Sequence, residues 1–163
     1  MWQQAKSASE VLSSHVASLA DLLSRLDLQA VEGAAQVLDD ACRRGNTVYT
    51  VGNGGSAATA SHIAADLSWG RRLGDARRPR AVSLVANGAI MTALANDVGY
   101  AQVFEEQLIS LFREGDLGVA IAASGNSENV LRAAQFANDH GGSSVGMVGF
   151  DGGRLKDVAG LSI

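Results

Sequence analysis

The sequence predicts a three-layer α/β sandwich with a parallel sheet, preceded by a helical hairpin. Three observations carry this. Apolar runs at 47–52, 81–85, 117–123 and 143–149 lack polar alternation, the mark of strands buried on both faces. Helix-like segments at 56–68, about 88–95, 102–113 and 127–140 separate them, and strand–helix alternation is the α/β signature. Nineteen glycines against one proline imply many tight turns and close backbone approaches.

The first 45 residues read as two helices. Val11, Leu12, Val16, Leu19, Leu22, Leu23 and Leu26 recur at three- and four-residue spacing, giving one apolar stripe opposite Ser, Glu, Asp and Arg. Ser7 and Glu10 have the spacing of a capping box. Asp27 can start the second helix, in which Val31, Ala34, Ala35, Val37, Leu38 and Ala41 face one way and Arg43, Arg44 and Gly45 form the C-terminal cap. The hairpin needs a surface to cover, and either the domain or another subunit serves. The segment Ala159–Ile163 reads as the beginning of a further strand, expected to be followed by a helix. The expected organisation is one domain over 1–163, with the hairpin at 1–45 and the α/β core at 46–163.

Composition narrows the function classes. With 47% hydrophobic and 18% charged residues the chain is a folded globular one. A net charge of −4 argues against a general nucleic-acid surface. No apolar run approaches the ~18–20 residues of a membrane span, and no signal-peptide pattern opens the chain. The one cysteine, Cys42, excludes an intramolecular disulfide and reads as a small core residue in a reducing compartment. A cytoplasmic location is expected, with neither nucleic acid nor membrane as partner.

In an open parallel sheet, ligands bind at the carboxyl ends of strands. Two loops there are small and polar, each directly before a helix: Asn53-Gly54-Gly55-Ser56, and Ala123-Ser124-Gly125-Asn126-Ser127. Helix N-termini offer unpaired N–H groups with partial positive charge, and the hydroxyls of Ser56, Ser124 and Ser127 add donors, so the pair reads as a phosphate cradle. The alternative is plain helix capping by serine. A nucleotide P-loop fails because no lysine follows Gly55. A dinucleotide fingerprint survives in Gly52, Gly54 and Ala57, but the next strand ends Val85-Ala86-Asn87 without the ribose-binding carboxylate.

His62 and Asp66 lie i and i+4 on the helix that begins at the first loop, and so share a face. The pair suits proton transfer or transition-metal binding; the bland alternative is a solvent-facing helix pair. His15 reads as hairpin surface and His140 as a cation at a helix C-terminus. Arg71, Arg72, Arg77, Arg78 and Arg80 read as a solvated connection or as a source of one phosphate contact. Asn96-Asp97 is either a turn or a polar contact for sugar hydroxyls.

The motifs GNGGSAATASHIAAD (52–66), AND-GY (95–100), SGNSENV (124–130) and G-DGG (149–153) resemble the sugar isomerase (SIS) domain family, and within it the sedoheptulose 7-phosphate (phosphoheptose) isomerases. The resemblance covers nearly the whole chain. It implies a five-stranded, flavodoxin-like parallel sheet, a homotetramer with active sites between subunits, and aldose–ketose isomerisation of a seven-carbon sugar phosphate. By position it implies that Asn53, Gly54, Gly55, Ser56, Asp97 and Asn126 contact the substrate and that Ser124 and Ser127 bind its phosphate. It makes His62 and Asp66 ligands of a zinc ion, and Asp66 the base of an enediol mechanism. Asp66 stands where the family usually has a glutamate, and Ala122-Ala123 where it commonly has Ser-Thr. A second acid–base histidine, with a glutamine nearby, is expected on a helix after residue 163. Two function classes follow: a phosphosugar isomerase, or a non-catalytic SIS module binding a phosphosugar or a protein.

Overall fold

Residues 7–69 and 79–163 are described by the computed structural model. Strands β1 (Thr47–Gly52), β2 (Arg80–Ser83), β3 (Leu117–Ala122), β4 (Ser143–Val148) and β5 (Leu161–Ser162) form one all-parallel sheet in the order β2-β1-β3-β4-β5. The helices are α1 (Ala8–Ser24), α2 (Leu28–Arg44), α3 (Gly55–Trp69), α4 (Gly88–Asp97), α5 (Glu105–Leu111), α6 (Glu128–Asp139) and α7 (Leu155–Val158). The expected fold class holds, and the segment at 159–163 does supply a fifth strand, pairing with Val145 and Gly146.

The sheet separates two apolar layers. On one side α2 and α3 bury Ala41, Cys42 and Ala60 against Val48, Leu117, Val119, Ile121 and Val145. On the other, Val130, Leu131, Ala133, Ala134 and Ala137 of α6 join Phe104, Leu108 and Phe112 against Tyr49, Val51, Ala120 and Ala122. Successive residues of β3 therefore serve opposite layers, as the pleat requires. The small residues Ala120, Ala122 and Gly118 let α6 sit close, with a Cβ at Gly118 only 3.3 Å from that of Ala137. Burial pushes the Cys42 thiol up, reinforced by Asp39, so it stays protonated as a core residue.

The caps follow the sequence. Ser7 accepts from Glu10 N–H, Asp27 accepts from Gln29 and Ala30 N–H, and Gly45 ends α2 in the left-handed conformation at φ 79°. Asp116 was not legible as structural. Its buried carboxylate accepts Thr47 N–H at 2.7 Å and Arg113 N–H at 2.8 Å, tying the start of β1 to the turn before β3.

Three expectations are refined. The run at 81–85 is not buried on both faces: β2 is an edge strand, so Val82 is 41% exposed while Leu84 is 1% exposed. The helix expected at 102–113 is a single 3₁₀ turn, Tyr100–Gln102, followed by the shorter α5. Phe112 leaves the helix in extended conformation, and its ring packs against Tyr49 and Phe136 at centroid distances of 5.8 and 6.0 Å. Beyond Val11, which is half-buried, the apolar stripe of α1 and the turn after it finds no cover among the described residues. Leu12, Val16, Leu19, Leu22, Leu23 and Leu26 are all exposed, whereas α2 packs on the sheet through Ala34, Val37 and Leu38, with Ala35 outside. Arg71, Arg72, Arg77 and Arg78 lie outside the described residues; Arg80 opens β2 and is exposed.

Candidate active site

The strand order places β1 beside β3, and their following helices leave on opposite faces: α3 in the layer of Ala60 and Ile63, α6 in the layer of Val130 and Leu131. The crevice between the carboxyl ends of β1 and β3 is therefore the topological switch point, and two helix N-termini open onto it. Both small polar loops lie there. Gly52 has to be glycine because a Cβ would stand 2.7 Å from the Ser56 backbone, where α3 folds back over the strand end.

The second loop is clamped by a third, after β4. Gly149 N–H donates to Ala123 O at 3.0 Å, Leu155 N–H to Gly125 O at 2.8 Å, and Arg154 N–H to Asn126 Oδ1 at 3.1 Å. Gly125 has φ 64°, and a Cβ there would overlap the Gly152 carbonyl oxygen. The motif at 149–153 thus acts by shape, bracing the loop that carries Ser124 and Ser127. Asn126 spends its amide inside this brace, since its Nδ2 donates to Ser124 O at 2.8 Å. Ser124 Oγ accepts Asn126 N–H at 3.4 Å. Ser127 precedes α6 at the N-cap position but makes no side-chain capping bond, which leaves its hydroxyl open to a ligand. Ser56 lies in the first turn of α3, and Gly54 has φ 55°.

A polar network that the sequence reading missed joins the two loops. The amides of Asn53 and Asn129 pair reciprocally at 2.9 and 3.0 Å, and Tyr100 Oη donates to Asn53 Oδ1 at 2.8 Å. Asn129 is buried. No local signal marks it, because its partner lies 76 residues away. Asp97 ends α4, exposed, with Asn96 Nδ2 donating to its Oδ1 at 2.8 Å.

His62 Nε2 and Asp66 Oδ2 are 3.5 Å apart, and the side chains are 78% and 75% exposed. Helical spacing puts them on the side of α3 opposite the buried Ala60 and Ala64. At 1.5 Å per residue, Asp66 stands roughly 16 Å along α3 from Gly55, toward the amino ends of the strands. The fold therefore does not bring this pair to its own chain's cradle. The imidazole and carboxylate suit a transition metal as two ligands, but no group of three or more His, Cys, Asp or Glu among the described residues forms a metal site. His15 is exposed on α1, and His140 caps α6 with its ring stacked on Phe136 at 3.7 Å. A separate open groove of about 600 Å³ along β2, lined by Val82, Leu84, Ile90 and Leu111 among others, has no titratable group among its described lining residues.

Residues 14–149 match the SIS domain family. The phosphoheptose isomerase of Aliarcobacter butzleri is 34% identical over 149 residues, which cover 91% of this chain and 78% of that protein. The chain belongs to the phosphoheptose isomerase family of SIS-domain proteins. A second member, from Geobacter metallireducens, is 43% identical over 79% of this chain and 68% of its own. The solved phosphoheptose isomerase of Neisseria gonorrhoeae superposes with a TM-score of 0.82 at 30% identity, covering 96% of this chain and 84% of that one. Among the described residues, no helix is long and apolar enough to cross a membrane.

Proposed function

We propose that the chain catalyses interconversion of sedoheptulose 7-phosphate and an aldoheptose 7-phosphate, with the phosphate at the β1–β3 crevice and the base supplied by Asp66 of a second copy. The observation that carries the reading is the pair of small polar loops at the switch point, the second of them braced, in a chain of the phosphoheptose isomerase family. Ser124 and Ser127, with the α6 N-terminus, hold the phosphate; Asn53, Ser56 and Asp97 contact the sugar. Asp66 takes the C1 proton of the open-chain ketose while a second acid protonates the C2 carbonyl oxygen, giving the enediol; Asp66 then returns its proton to C2 as the conjugate base of that acid takes the C1 hydroxyl proton, leaving the aldose. Zinc held by His62 and Asp66 would supply Lewis-acid polarisation of the substrate oxygens.

The exposed outward face of α3 and the uncovered stripe of α1 both support a site shared between subunits of a homo-oligomer, read as a tetramer. Substituting Leu22→Asp in the centre of that stripe, where Leu22 is 57% exposed, is expected to give monomers in analytical ultracentrifugation and to lose turnover with them. An unchanged oligomer would show that α1 covers nothing in the assembly. For the reaction itself, sedoheptulose 7-phosphate incubated with the full chain in deuterated water should lose one of its two C1 proton signals by NMR. Binding of the sugar phosphate with no exchange, in zinc-loaded protein, would leave only a phosphosugar-binding module.

A further inference from the structure

The network at the mouth of the crevice fixes more than position. Val130 N–H, a backbone group that only donates, is shared between Ser127 O and Asn129 Oδ1, each at 3.0 Å. Asn129 therefore presents its Nδ2 to Asn53, and Asn53 must answer with Oδ1 at 3.0 Å while its own Nδ2 donates back at 2.9 Å. Tyr100 Oη donates to the same Asn53 Oδ1 at 2.8 Å, filling its second lone pair. The Asn53 amide, part-exposed, is left with a single N–H to offer outward and no acceptor. Tyr100, having spent its only hydrogen on Asn53, keeps acceptor capacity on a side chain in a residue 55% exposed.

We propose that Tyr100 and Asn129 set the polarity of the sugar subsite: they lock Asn53 as a donor, and the Tyr100 oxygen beside it accepts, so that a sugar hydroxyl is held from both sides. A hydroxyl both accepts and donates, and this donor–acceptor pair matches it, whereas phosphate oxygens that only accept match Asn53 alone. Tyr100 is thus a positioning residue through Asn53 and a sugar contact through its own oxygen. The assignment rests on the phosphosugar reading above and adds to it the residues that orient the sugar.

Calorimetric titration of the full chain with sedoheptulose 7-phosphate, and separately with inorganic phosphate, tests this. Tyr100→Phe keeps the ring and removes the hydroxyl. It is expected to weaken sugar-phosphate binding about tenfold while leaving inorganic phosphate unchanged, because the serine loop is untouched. In an Asn53→Ala background the same substitution should cost clearly less than tenfold, since part of its action runs through the missing amide. Equal affinities for wild type and Tyr100→Phe, a parallel loss for inorganic phosphate, or losses that simply multiply in the double variant each overturn the proposal. Unchanged thermal midpoints establish that these are not folding effects. A wild-type chain that binds the sugar phosphate without exchanging its C1 proton removes the isomerase reading, yet the titrations still decide the role of Tyr100. A wild-type chain that turns over while Tyr100→Phe titrates identically sinks the present inference alone.

Discussion

Gly125→Ala is expected to lower kcat/KM by about a hundredfold and to cost thermal stability as well. The residue sits at φ 64°, where an L side chain costs about 1–2 kcal/mol before any contact is counted. Its methyl would overlap the Gly152 carbonyl oxygen and approach Gly153, both of which belong to the backbone, so no side-chain rotation relieves the clash. The loops after β3 and β4 must move apart. With them go the Leu155 N–H bond to Gly125 O and the Arg154 N–H bond to Asn126. Ser124 and Ser127 are carried on the displaced loop, and a misplacement of about 1 Å at a reacting site costs on the order of a hundredfold. The thermal midpoint should drop by about 5–10 °C in a scanning fluorescence or calorimetric melt. A variant with wild-type kcat/KM would show that the brace does not hold the Ser124–Ser127 loop in place in the working enzyme.

The second large effect concerns proton transfer. Asp66→Asn removes the carboxylate without changing shape, and exchange of the substrate C1 proton should fall by about 10²–10⁴-fold, the usual contribution of a general base. Sugar-phosphate affinity should stay within about threefold, because the cradle residues are untouched. The geometry adds a sharper test. Asp66 faces away from the sheet and lies far along α3 from the loops of its own chain, so under the proposed function the carboxylate serving any one cradle would come from another subunit. Mixing Asp66→Asn subunits with Ser124→Ala/Ser127→Ala subunits, each nearly inactive alone, should restore part of the activity. Some interfaces in the hybrid then combine an intact cradle with an intact base. Absence of recovery after subunit exchange, with hybrids verified by mass spectrometry, would place Asp66 outside the shared site.

Local chemistry was readable wherever it is decided by neighbours in the chain. The caps at Ser7, Asp27 and Gly45 depend on hydrogen bonds spanning a few residues, and they form where the sequence places them. Apolar runs too short for helices became strands, and Gly52, Gly125 and Gly149 at the strand ends became close approaches, whereas Gly54 and Gly55 face open space. By contrast, burial of 81–85 on both faces was misjudged because a strand's position in the sheet depends on its neighbours, and β2 has only one. The pairing of Asn53 with Asn129 and the brace of 123–127 by 149–154 are long-range contacts. Nothing in the residues of either partner announces the other.

By itself, then, the sequence determined most of the elements, their caps and the chemical types at hand: small residues and hydroxyls in the loops at strand ends, and an imidazole and a carboxylate on one helix face. Only the tertiary structure decided which loops meet. Setting β1 beside β3 converges two helix N-termini on one crevice, and the loop after β4 locks the second of them. The tertiary structure also decided that most of the α1 stripe is left uncovered by the described residues of its own domain and that His62 and Asp66 point away from the cradle. The physical reason is common to both. Periodicity fixes which residues share a face, but what that face meets is set by packing between elements distant in the chain and, for α1 and α3, by surfaces this chain leaves open.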